Sequence, residues 1–218
     1  MAGDEFDNSY IRAKRDQVRR KVNQKRGVGD PQKDRLPPGQ RATPVMIAMP
    51  PITSSYPHIE KKDWQLKVYG EVKQLQGWDW EEFLKLPSTE YKIDFHCVTH
   101  WSKLDQSFTG VDFSEILKVA SPKPSAKFVI FECADGYTTN VSLAELKNNL
   151  AFVALKMDGQ DIPDKFGGPA RVVIPHLYAW KSAKFLTAIC FQEQDEPGLW
   201  ETRGYHNHGD PWKEERYS

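Results

Sequence analysis

This 218-residue chain has no long apolar run. Its longest mostly apolar stretches, 151–155 and 185–191, fall far short of the roughly 20 residues that carry a helix across a bilayer, so no membrane contact is expected. The twin arginine Arg19-Arg20 is followed by polar and charged residues, not by the apolar stretch of an export signal. A cytoplasmic location is the expectation. Cysteine is scarce: an odd total of three excludes a disulfide framework, and any thiol with a special task is a ligand or a nucleophile. Net charge is missing too, with 30 Lys+Arg against 30 Asp+Glu, so no chain-wide surface for nucleic acid or anionic lipid is expected. Also absent are G-x-G-x-x-G, the P-loop, H-E-x-x-H, C-x-x-C and G-x-S-x-G, which removes the usual support for dinucleotide, nucleotide, zinc and serine-hydrolase chemistry. What the chain does have is 39% hydrophobic and 12% aromatic residues, enough for a packed core in one domain.

The neutrality is an average. Residues 1–41 hold 11 Lys/Arg against 6 Asp/Glu and form a basic polar arm, within which Ile11, Val18 and Val22 permit a short helix around 8–26. Residues 42–60 are a proline-rich connector; seven of the 15 prolines precede residue 58, which forbids regular helix and fits an extended strap. The body, 61–218, alternates short strands and short helices. Strands are expected at 64–70, 93–97, 127–133, 137–141, 152–157, 171–174 and 184–191, and helices at 78–86, 113–120 and 142–150. Asp112 caps the second helix, and Ser142-Leu-Ala-Glu145 is a capping box for the third. The pattern predicts an α+β fold with mixed or antiparallel sheets.

Three segments could carry chemistry. Cys97 ends a strand inside Phe95-His96-Cys97-Val98-Thr99-His100-Trp101-Ser102. It is either a small buried hydrophobe or a thiolate ligand or nucleophile flanked by His96 and His100. The glycine-proline turn before Arg171 and the turn Lys181-Ser182-Ala183-Lys184 could together cradle a phosphate. The run from Trp200 to Trp212 contains His206 and His208, a weak opening to a metal site and better read as a structured aromatic tail.

Cys97-Val98 with Trp101-Ser102, then Asp135-Gly136-Tyr137, then Gly168-Pro169-Ala170-Arg171-Val-Val-Ile-Pro175, and Tyr178-x-Trp180-Lys181-Ser182-x-Lys184 occur in that order. Together they resemble the molybdopterin-binding domain of the sulfite oxidase family, across about residues 60–218. The resemblance implies that fold, a molybdopterin (molybdenum cofactor), and Cys97 as both the metal ligand and a catalytic group. It places Arg171, Lys181, Ser182, Ala183 and Lys184, with His96, around the cofactor, and it sets Tyr137 near the metal. It implies an oxidoreductase that transfers an oxygen atom on a small-molecule substrate and exchanges electrons with a separate protein. Two departures matter. Phe166 stands where family members often carry His or Asn, and residues 50–60 contain neither arginine nor asparagine. An oxyanion such as sulfite wants a fixed cation, so sulfite is not the expected substrate. The other readings are a cysteine-nucleophile enzyme using Cys97 and a non-catalytic binding module on the same fold.

Overall fold

The computed structural model describes residues 33–218. The helix expected within 8–26, and most of the basic arm, lie outside the described residues.

In chain order the strands are β1 (Arg41–Ala42), β2 (Gln65–Gly70), β3 (Gln76–Asp79), β4 (Ser88–His96), β5 (Trp101–Asp112) and β6 (Phe128–Cys133). They continue with β7 (Thr138–Ser142), β8 (Phe152–Met157), β9 (Gln160–Asp161), β10 (Arg171–Val173) and β11 (Leu186–Gln192). The short helices are α1 (Trp80–Phe83), α2 (Phe113–Ala120) and α3 (Leu143–Asn148). One sheet runs β3-β2-β11-β6-β7; the other runs β1-β5-β8-β10, with β4 on β5 and β9 on β8. The pairs β1/β5 and β2/β11 are parallel and the remaining pairs antiparallel, so the sheets are mixed and the fold is α+β as expected.

Local chemistry explains most of these elements. In β2, Leu66 and Val68 alternate with exposed residues and turn into the core. The Asp112 side chain accepts the Ser114 N–H to start α2, and Ser142 accepts the Glu145 N–H to start α3. The helix expected over 78–86 is wrong at its start. Trp78 pairs with Leu66 as an edge-strand residue, and a capping box between Asp79 and Glu82 opens only the one-turn α1. The longest strand, β5, has no counterpart among the expected elements. Its polar residues Lys103, Asp105, Ser107 and Thr109 dilute the apolar pattern, and antiparallel pairing with β4 and β8 supplies the order.

One large cluster of buried side chains includes Trp64, Leu66, Val68, Phe113, Phe131, Ile189 and Phe191. A second, with Phe95, Cys97, Trp101, Phe152, Tyr178 and Trp180, lies where β4 turns into β5. Residues 33–42 are not detached from the body. Arg35 bridges Asp94 and Asp105 at 2.5 and 2.9 Å, and β1 pairs Arg41 with Trp101. Among the described residues no helix is long and apolar enough to cross a membrane.

Candidate active site

Residues 97–100 form a tight turn between β4 and β5. The Cys97 carbonyl accepts the His100 N–H at 3.1 Å, and His100 takes a left-handed φ of 72°. The turn presents the Cys97 side chain to a cavity of about 480 Å³, a size typical of cofactor pockets.

A second wall comes from β10 and the turn before β11. Val172 donates to the Ala183 carbonyl at 2.8 Å, and Phe185 donates to the Gly167 carbonyl at 3.2 Å, so Arg171 and Lys184 meet although they are 13 positions apart. Gly167 makes this closure possible. Its φ is +101°, and a Cβ there would lie 2.6 Å from Lys184 Cβ. The connector supplies a third, apolar wall, with Met46, Ile47, Met49 and Ile52 facing the cavity. The fourth is aromatic: Trp180 lies edge-on to Tyr205 at 5.0 Å, and Trp200 stacks on Tyr205 at 5.1 Å.

The cavity is cationic. Lys165, Arg171, Lys184 and Arg203 line it against the single carboxylate of Asp135. Arg171 is 4% exposed, and its Nη1 and Nη2 donate to the Phe166 and Ser182 carbonyls, both at 2.8 Å. No carboxylate pairs with it among the described residues, and burial holds its pKa down at about 10. Burial, with Arg171 beside it, lowers Lys184 to about 8. A buried guanidinium without a counter-charge is costly unless an anion completes it. Trp101 also lines the cavity, and its indole N–H has no partner among the described residues. A cofactor that brings a phosphate, polar ring edges and a metal in need of a thiolate fits this set of donors.

Cys97, Tyr137, Arg171, Ser182, Ala183 and Lys184 all line this cavity. Lys181 and His96 do not. Lys181 is fully buried behind it, with Nζ 2.6 Å from Glu201 Oε1 and donating to the Asn140 carbonyl at 2.8 Å. The alternation of β4 turns His96 away from Cys97 and onto Ser102 Oγ at 2.8 Å, where burial lowers its pKa to about 4. His100 Nδ1 sits 3.1 Å from the Gly39 carbonyl. Neither imidazole bonds the thiol, whose contact is Thr99 Oγ1 at 3.2 Å, and burial raises the Cys97 pKa. The cysteine-nucleophile reading therefore loses the base it needs. The Tyr137 hydroxyl, although at the cavity, donates to the Trp180 carbonyl at 2.6 Å.

Residues 53–200 match the model of the oxidoreductase molybdopterin binding domain. The chain belongs to this family. It is therefore a molybdopterin-dependent oxidoreductase, and molybdopterin is its cofactor. It is 38% identical over 188 residues to the uncharacterized oxidoreductase YuiH of Bacillus subtilis, covering 86% of this chain and 94% of that protein. It is 29% identical over 162 residues to the protein-methionine-sulfoxide reductase catalytic subunit MsrP of Burkholderia mallei, covering 67% of this chain and 49% of MsrP. The chain thus spans about half the length of that relative. Among solved structures it resembles the sulfane dehydrogenase SoxCD from Paracoccus pantotrophus, with a TM-score of 0.59 and 19% identity over 65% of this chain and 41% of the other. That likeness supports the molybdopterin-binding fold of the sulfite oxidase family expected from the sequence.

Within this molybdopterin-binding domain, sequence reasoning missed Tyr205 and the apolar wall. Tyr205 lines the cavity together with Cys97, and no hydrogen bond fixes its hydroxyl among the described residues. The aromatic density of 200–212 was its only signal. His206 and His208 pair with Glu215, and His208 also reaches Glu145 at 3.2 Å. Among the described residues no group of His, Cys, Asp and Glu is arranged to hold a metal ion.

Proposed function

We propose that this protein transfers an oxygen atom to or from a neutral organic substrate, with the Cys97 thiolate as the protein ligand to molybdenum. The observation that carries the reading is that Cys97 lines the same cavity as Arg171, a buried cation that no carboxylate pairs with among the described residues. Arg171, Lys184 and the Ser182 hydroxyl would hold the cofactor's phosphate, and Trp101 would donate its indole N–H within the site. When bound, the cofactor supplies two-electron redox chemistry coupled to oxygen-atom transfer.

The chain's own residues set what can approach. Met46, Ile47, Met49 and Ile52 make one side of the cavity apolar and offer an oxyanion no cation there. A sulfoxide meets these demands, because its polar S–O bond is short and its organic arms are apolar. Methionine sulfoxide is our leading substrate, in line with the name of the MsrP relatives. Its reduction consumes two electrons and two protons and releases one water. Tyr205 holds a proton at Oη, with its pKa pushed up to about 12 by burial, and is placed to donate it toward the cavity. A separate protein exchanges the electrons; the name "catalytic subunit" in the MsrP relatives is in keeping with this.

The test is protein purified from a host that makes molybdopterin. About one molybdenum per chain, and oxidation of reduced viologen on adding methionine sulfoxide, are the expected results. Metal-free protein overturns the reading, as does sulfite oxidation with no turnover of sulfoxides.

A further inference from the structure

The turn that carries Cys97 is fastened from outside the 53–200 span that defines the family. Gln40 Nε2 donates to the Cys97 carbonyl at 2.9 Å, and Arg216 Nη1 donates to the Val98 carbonyl at 2.5 Å. Arg216 Nη2 also reaches the Pro38 carbonyl at 3.3 Å, so one guanidinium ties the turn to the segment that carries Gln40. Arg41 N–H donates to the His100 carbonyl at 3.1 Å, which closes the other end of the turn. Arg216 is 2% exposed, and its guanidinium lies 4.7 Å from the centre of the Tyr178 ring.

These are not incidental packing contacts. A guanidinium is expensive to bury, and here Nη1 and Nη2 go to main-chain carbonyls of the turn and of Pro38. The turn needs holding. His100 has a β-carbon yet sits in the left-handed region, a conformation that persists only where surroundings enforce it. A metal ligand displaced by about 1 Å forfeits much of what its geometry supplies.

We propose that Arg216 and Gln40 are positioning residues for Cys97, so that 38–41 and 205–218 complete the site that the family domain alone leaves loose. The value of that placement rests on the reading of Cys97 as the metal ligand. The clamp itself does not.

The test uses the full chain prepared without cofactor, followed by amide hydrogen exchange. The reporters are the Cys97 and His100 N–H groups, which bond to the Trp101 and Cys97 carbonyls, and the amides of β8 are the reference. In Arg216→Met the turn amides should exchange at least tenfold faster while β8 is unchanged. Arg216→Lys, able to reach one carbonyl, should restore part of the protection. Gln40→Leu removes one donor without touching a buried charge, and should also speed the turn selectively if Arg216→Met fails to fold. Unchanged turn exchange overturns the proposal, and so does equal acceleration in β8. Molybdenum content then separates the two readings. Parental metal content in Cys97→Ser would sink the ligand assignment and leave the clamp standing, whereas silent turn amides would sink the clamp whatever the metal content.

Discussion

Lys181 Nζ lies 2.6 Å from Glu201 Oε1, and both side chains are 1% exposed. The same Glu201 oxygen accepts from Trp180 Nε1 and Thr139 Oγ1, both at 2.9 Å. The pair therefore binds β7 to the residues that shape the aromatic wall. Removing one partner strands the other as a buried charge, which typically costs about 3–5 kcal/mol. Lys181→Met should lower the urea midpoint accordingly, and Lys181→Met combined with Glu201→Leu should lose less than the sum of the two single changes. Equilibrium unfolding of the four proteins measures this.

Cys97→Ser is expected to abolish molybdenum binding at little cost to the fold. Among the described residues the thiol bonds only Thr99, and a serine hydroxyl fits the same space. Elemental analysis should show at least a tenfold loss of metal. The thermal midpoint of the cofactor-free protein should move by no more than a few degrees.

Lys184 sets a pH dependence. Its folded pKa of about 8 lies below its ordinary value of 10.5, with burial the main cause and Arg171 the second. Between these values the unfolded chain binds more protons than the folded one, so the cofactor-free protein should gain stability as pH rises from 8 to 10.5. Below pH 8 the penalty is present in full. Lys184→Met should stabilise the cofactor-free protein at pH 7 by about 1–2 kcal/mol after allowance for solvent screening, and should flatten the rise. Chemical denaturation from about pH 6 to about pH 10.5 provides the measurement. With cofactor bound, the same substitution should lower cofactor retention.

The two tyrosines should separate stability from turnover. Tyr137→Phe leaves the Trp180 carbonyl without its donor inside the core, a loss of about 1–3 kcal/mol. Tyr205→Phe removes a hydroxyl with no partner among the described residues and should leave the thermal midpoint nearly unchanged, while lowering kcat for sulfoxide by about 10²-fold or more. Parallel melting curves and steady-state rates of the two variants decide whether the proton donor is Tyr205.

Much of the scaffold was readable from the chain because the signals are local. Leu66 and Val68 alternate, Asp112 and Ser142 cap helices, and the segments around Cys97, Arg171 and Lys184 keep a recognisable order. Strand β5 escaped because its inward residues are separated by Lys103, Asp105 and Ser107, and only pairing with β4 and β8 orders it. The start of α1 was misplaced because Trp78 satisfies a strand pattern as readily as a helical one, and the pairing with Leu66 settles it.

For the site, the order of residues along the chain specifies the reactive types: one thiol at a strand end, cations beside glycine turns, and no disulfide or zinc framework. The tertiary structure decided which of them meet. Side-chain direction alternates along a strand, so His96 leaves the cavity although it adjoins Cys97. Lys181 resembles Lys184 in the chain but is drawn inward by Glu201, 20 positions away. Tyr205, the strap 46–52 and Arg216 reach the site only through long-range contacts. No local propensity encodes those, because their energy exists only once the core has closed around them.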